Sequence, residues 1–111
     1  MHQNSINAYR HVRDEMNKRE TMIYGLLSQN LRSMTDREIM TELGFPEPNC
    51  VRPRITELIK NYWLRETGTV TDSTSHVEVR RVRAISAEER KTILEMIMKD
   101  KDQLPLFGEA A

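Results

Sequence analysis

Two spacings of apolar residues alternate along this chain and lay out its elements. Between residues 5 and 29, Tyr9, Val12, Met16, Ile23, Leu26 and Leu27 recur three and four apart, on one face of a helix. Ser5 stands where an N-cap is expected. Asn17 to Glu20 carries no apolar residue, which leaves room there for a joint between two helices. Thr35-Asp36-Arg37-Glu38 has the capping-box pattern, in which hydroxyl and carboxylate each satisfy the other residue's backbone N–H. Ile39, Met40 and Leu43 continue the stripe and Gly44 suits a left-handed terminus, so a short helix is predicted over 36–43. A turn with two prolines, Phe45-Pro46-Glu47-Pro48-Asn49, precedes a second helix from about Cys50 to Tyr62. Val51, Ile55, Leu58, Ile59 and Tyr62 form its inner face. Pro53 must lie in the first turn, where a missing N–H costs little. A residue before proline avoids the α region, which fixes the start only to within a turn.

The spacing then changes. Val77 and Val79 alternate with Glu78 and Arg80, and residues 63–70 and 77–85 are predicted to form a hairpin around the polar link Thr71–Ser75. Ser86-Ala87-Glu88-Glu89 is a second capping-box pattern, and Ile93, Leu94, Ile97 and Met98 stripe the helix that follows to residue 102. In residues 103–111, QLPLFGEAA, proline and glycine argue against helix, so a flexible tail is expected. The predicted class is mainly α with a small β-hairpin. Helix, turn, helix and hairpin in that order make a winged helix-turn-helix over residues 1–85, followed by a C-terminal helix at 86–102 and the tail.

In that arrangement the second helix offers its outer face to the DNA major groove, and the hairpin reaches toward a neighbouring groove or phosphates. With Val51 inside, Asn49, Pro53, Thr56 and Lys60 point outward and Arg52 flanks them. Asn and Arg side chains can read base edges, and Lys and Thr can hold phosphates. Arg54 sits at the border of the two faces, where it either touches DNA or braces the fold through Glu57 or Glu38. On the hairpin, Arg80 and, at the tip, His76 with Ser75 are candidate phosphate contacts. The alternative for Arg80, Arg81 and Arg83 is an ordinary solvated face.

The run N-x-V-x-P-R-x-x-E-L, carried by Asn49, Val51, Pro53, Arg54, Glu57 and Leu58, resembles the second helix of small winged-helix proteins of bacteria and their phages. T-D-R-E-I from Thr35 and L-G-F-P from Leu43 resemble the helix and turn before it. The resemblance spans roughly residues 5–84 and implies a DNA-binding fold. It departs after the second helix, where that group usually carries glycine and this chain has Asn61-Tyr62-Trp63; Asn61 is expected to take the left-handed conformation. Gln103, Leu104, Leu106 and Phe107 match Q-L-x-L-F, and the segment resembles the bacterial sliding-clamp-binding peptide. The resemblance implies that Leu106 and Phe107 enter an apolar cleft on the clamp, with Leu104 beside them and the Gln103 amide at the rim. Pro105 would pre-set an extended backbone there. The other course for such a tail is to fold back into a gap of its own domain or a dimer seam.

Charge sharpens the picture. Among its 111 residues the chain has 17 lysines and arginines and 17 aspartates and glutamates, a formal net charge of zero, so no bulk nucleic-acid signal exists. Residues 50–83 nevertheless hold seven basic side chains against four acidic, and residues 86–111 hold four against six. Hydrophobic residues make up 38% and charged ones 31%, and the longest apolar runs fall far short of a spanning helix, so no membrane role and a cytoplasmic location are expected. A single cysteine, Cys50, excludes an internal disulfide and reads as a packing residue. His2, His11 and His76 are scattered and no phosphate-binding or nucleophile motif occurs, so neither an enzyme nor a metal or other cofactor is expected. The expected function is a winged-helix protein that binds double-stranded DNA and engages the bacterial replication sliding clamp, in replication or its control. The competing readings are a phage or bacterial transcriptional regulator forming a homodimer through residues 87–101, and a clamp-binding adaptor or inhibitor without DNA contact.

Overall fold

The first helix begins where its capping groups are. The computed structural model of the chain describes residues 12–110, and their side chains as far as Lys99. Helix α1 spans Lys18–Asn30. Asn17 Oδ1 accepts from the Glu20 N–H at 2.8 Å, and Glu20 Oε1 accepts from the Asn17 N–H at 3.0 Å. This reciprocal cap sits in the apolar gap, so the helix does not run back continuously from residue 29 toward Ser5; Ser5 and Tyr9 lie outside the described residues. Residues 12–17 form no regular element. Their backbone is held by side chains from elsewhere: the Arg13 N–H donates to Asn61 Oδ1 at 2.6 Å, and the Arg13 carbonyl accepts from Trp63 Nε1 at 3.3 Å and an Arg90 guanidinium N–H at 3.2 Å.

Strand β1, Met34–Thr35, leads into α2, Asp36–Leu43. The predicted capping box is present, with Glu38 N–H to Thr35 Oγ1 at 3.2 Å and Thr35 N–H to Glu38 Oε1 at 2.9 Å. Gly44 closes the helix at φ 75°, the left-handed conformation a Cβ disfavours. A 3₁₀ turn at Pro48–Cys50 feeds α3, Arg52–Lys60. Pro53 is second in that helix, where its absent N–H would have had no helical partner. The end of α3 corrects one expectation. Tyr62, not Asn61, is left-handed, with φ 64° against −95°. Trp63 N–H reaches the Leu58 carbonyl at 2.9 Å and Tyr62 N–H the Ile59 carbonyl at 3.1 Å, the paired bonds of a Schellman terminus. Asn61 is instead buried and bonded through its amide to the Glu57 carbonyl at 2.8 Å.

Strands β2, Leu64–Thr71, and β3, Glu78–Ala84, form the expected hairpin. A bulge between Glu66 and Gly68 interrupts its register, with Gly68 at φ 146°. Unforeseen is the third strand: β1 pairs antiparallel with β3, Met34 opposite Val82, giving the order β1-β3-β2. Helix α4 runs Ala87–Ala110. Ser86 Oγ accepts from Glu89 N–H at 3.1 Å, but the Glu89 carboxylate turns to Arg83, at 3.1 and 3.3 Å, so only half of the second capping box forms. The helical backbone passes the expected end at 102 and continues through Pro105, where an irregular tail was predicted. Proline's fixed φ is compatible with helix, but at Pro105 the ladder loses one N–H donor and the ring crowds the preceding turn.

Ile23 and Leu27 of α1, Met34 of β1, Ile39 of α2, Ile55 and Leu58 of α3, Val51 just before it, Leu64 of β2 and Val82 of β3 form one buried cluster. Each such side chain contributes about 1.5–3 kcal/mol through burial. The described chain is thus four α-helices with a small three-stranded antiparallel sheet, an arrangement compatible with a winged-helix-like fold.

Candidate nucleic-acid interface

Helix α3 is apolar within and polar without. Val51, Ile55 and Leu58 are buried and Ile59 and Tyr62 half-buried, while Arg52, Pro53, Thr56 and Lys60 are exposed, as is Asn49 in the turn before it. Periodicity alone forecasts this split, because residues three and four apart share a face.

The candidate contacts separate into two groups. Arg52, Thr56 and Arg80 meet around Asp36, the first residue of α2. Arg80 is four-fifths buried: its Nε donates to Asp36 Oδ1 at 3.3 Å, and one terminal N–H group to the Arg52 carbonyl at 3.3 Å and Thr56 Oγ1 at 3.1 Å. Arg52 Nε stands 3.7 Å from the other Asp36 oxygen. Thr56 Oγ1 also donates to the Arg52 carbonyl at 3.0 Å. Arg80 therefore ties the hairpin to α3 and α2. Asn49 and Arg54 belong instead to the side facing α1. Arg54 pairs with neither Glu57 nor Glu38; its guanidinium lies 3.7 Å from the fully buried Glu20 carboxylate. That carboxylate already accepts two bonds from Arg13, at 2.8 and 2.9 Å.

Lys60 is exposed at the end of α3 and has no ion pair among the described residues. His76 is exposed at the hairpin tip with φ 59°. The tip is organised by Asp72, whose Oδ2 accepts from Ser75 N–H and Ser75 Oγ, each at 2.9 Å, while Arg37 of α2 approaches at 3.3 Å. The Ser75 bonds, aided by the Arg37 charge, hold the Asp72 carboxyl below its ordinary pKa. At the hairpin base the Arg83 bond, then the charges of Arg83 and Arg65, lower that of Glu89 in the same sense. Arg83 is thus engaged within the fold, whereas Arg81 is exposed without an ion pair among the described residues. The side chains of Gln103, Leu104, Leu106 and Phe107 lie outside the described residues; their backbone belongs to α4.

Three shallow hollows flank these residues. One of about 560 Å³ between α3 and the hairpin balances Asp36, Asp72 and Glu78 against Arg37, Arg52 and Arg80. One of about 480 Å³ behind the hairpin balances Glu38, Glu42 and Asp72 against Arg32, Arg37 and Arg81. The third, about 650 Å³ between α1 and the start of α3, is lined by Lys18, Arg19 and Arg54 and, among the described residues, by no carboxylate.

Sequence reasoning missed the buried roles of Glu20, Asn61 and Arg90, and the part-buried Asp36 on which Arg52 and Arg80 converge. Only Glu20 left a local trace, as the fourth residue of the Asn17 capping box. Arg90 donates twice to the Asn61 carbonyl, at 3.0 and 3.1 Å, and stacks 3.9 Å above the Trp63 ring. Among the described residues no helix is long and apolar enough to cross a membrane. Set against known protein families, characterised proteins and solved structures, the chain shows no match.

Proposed function

We propose that the protein binds double-stranded DNA through the outer face of α3, with the hairpin alongside, and joins the replication sliding clamp through Gln103–Phe107. The observation that carries the DNA half is the exposed row Arg52, Thr56 and Lys60, set on a helix whose opposite face is locked in the core, with Asn49 exposed in the turn before it. Such a rigid mount keeps hydrogen-bonding side chains in register with base edges and phosphates. Arg52 and Lys60 supply charge, Asn49 and Thr56 supply amide and hydroxyl groups, and His76 extends the footprint at the hairpin tip. Arg80 is in this reading a positioning residue. The clamp half rests on the Q-L-x-L-F pattern alone. Pro105 removes one backbone bond from the helical ladder, which makes that turn the easiest to open into the extended form a cleft would take. Joined in one chain, two weak attachments act at high effective concentration.

Fluorescence anisotropy of a labelled duplex tests the first half. Arg52→Ala with Lys60→Ala should weaken binding and flatten its salt dependence. Absence of binding to any duplex at low salt would leave a clamp-binding adaptor as the better reading. Titration of purified clamp tests the second half: Leu106→Ala with Phe107→Ala should abolish the association while the domain stays folded, and undiminished binding would remove the clamp. A dimer in sedimentation, with clamp binding absent, would turn the assignment toward a transcriptional regulator.

A further inference from the structure

Of the three hollows described above, two carry as many carboxylates as guanidinium groups, and the third has only cations among its charged lining residues. Lys18 and Arg19 open α1, and Arg54 faces them from the first turn of α3. Lys18 has no ion pair among the described residues. Arg19 donates to the Cys50 carbonyl at 3.2 Å and lies 5.1 Å from the centre of the Phe45 ring, contacts that fix the guanidinium without neutralising it. Arg54 stands 3.7 Å from a Glu20 carboxylate that Arg13 already binds at 2.8 Å, so its charge is only partly offset, and Arg13 in turn lies 3.9 Å from Glu57. Asn49, an exposed residue of the proposed reading face, lines the same hollow. The concavity therefore adjoins the α3 surface and is lined by cations alone among its charged residues, whereas the cleft beside the hairpin is balanced.

From this asymmetry we infer that the hollow between α1 and α3 is a phosphodiester-binding site, with Lys18 and Arg19 as its contacts, which places a DNA backbone contact on the α1 side of the α3 face beyond those of Arg52 and Lys60. The inference rests on the DNA reading above and adds to it the side on which the polyanion is held. A phosphate entering the hollow meets cations alone. One entering the hairpin cleft meets Asp36, Asp72 and Glu78, whose repulsion cancels the attraction of the arginines.

The test is the salt dependence of full-length protein binding to a short labelled duplex. Each phosphate contact adds about 0.9 to the slope of log affinity against log salt. Lys18→Gln, at a side chain with no hydrogen bond or ion pair among the described residues, should lower the slope by about 1, and Lys18→Gln with Arg19→Gln by about 2. Arg37→Gln, in the two balanced hollows, should leave it unchanged. If the wild type binds and both variants at Lys18 keep its slope, the hollow is not the phosphate site and the α3 reading survives. If the wild type binds no duplex at low salt, the DNA reading and this inference fall together.

Discussion

Removing the Arg80 guanidinium separates a structural role from a direct contact with DNA. In Arg80→Met the stem stays and the fork goes. Lost are the bonds to Asp36 Oδ1, to the Arg52 carbonyl and to Thr56 Oγ1. The pair to Glu66 at 3.9 Å, with that carboxylate half-exposed, adds little. A hydrogen bond from a charged donor contributes about 1.5–3 kcal/mol net, but three bonds from one group do not add. Asp36 keeps Arg52 at 3.7 Å and its place at a helix N-terminus, which softens the loss. The expected cost is about 2 kcal/mol, visible as a fall in the urea midpoint at constant slope. Arg80→Lys should lose most of the same stability, because an ammonium cannot span three acceptors from one planar group. Neither variant should change the salt dependence of duplex binding. If Arg80→Met unfolds within about 0.5 kcal/mol of wild type while the salt slope drops by about 1, the guanidinium is a phosphate contact and the strut reasoning is wrong.

Three further outcomes follow from single features. Arg90→Met should destabilise by about 3 kcal/mol, because it strips donors from the buried Asn61 carbonyl and the cation from the Trp63 face; Trp63 is the sole tryptophan, so its fluorescence follows unfolding, and far-UV circular dichroism checks the midpoint. Leu31→Gly should stabilise by about 0.5–1 kcal/mol, since Leu31 is 88% exposed and sits at φ 55°, so the change relieves a left-handed strain and sacrifices little packing; a lowered melting temperature would contradict it. Glu89 and Asp72 both have folded pKa values below their ordinary ones, so their contributions are complete above the unfolded values and vanish as pH falls through the folded ones. Stability should therefore hold near neutral pH and drop below about pH 4, and Glu89→Gln should make that acid-side drop shallower.

Local chemistry foretold what local chemistry decides. Thr35 and Glu38 stand three apart and cap each other; Gly44 ends α2; Val51, Ile55 and Leu58 turn inward because of their spacing. What escaped notice is set by distant partners. Strand β1 has two residues, too few to show a period, and exists because Met34 lies opposite Val82. Alternation put Arg80 on a strand without telling which neighbour its side chain would meet, and the bulge at Glu66 and Gly68 shifts that register again. Arg13, Asn61, Trp63 and Arg90 meet across as many as 77 positions of sequence, and no residue near any of them announces the others.

Charge shows most sharply why a linear count misplaces a surface. The seven cations of residues 50–83 look like the basic part of the chain, yet Arg52, Arg54, Arg65, Arg80 and Arg83 each lie within 4 Å of a carboxylate. Most of those carboxylates come from outside the stretch: Asp36, Glu20 and Glu89. The excess within the segment is therefore largely consumed by folding. Lys18 and Arg19, from a segment that looked like scaffold, gain electrostatic weight because the carboxylate beside them, Glu20, turns inward and is taken by Arg13 and Arg54. A buried acid thus relocates the positive surface by choosing which arginines it neutralises, and the polyanion should follow the unneutralised cations rather than the segment richest in arginine.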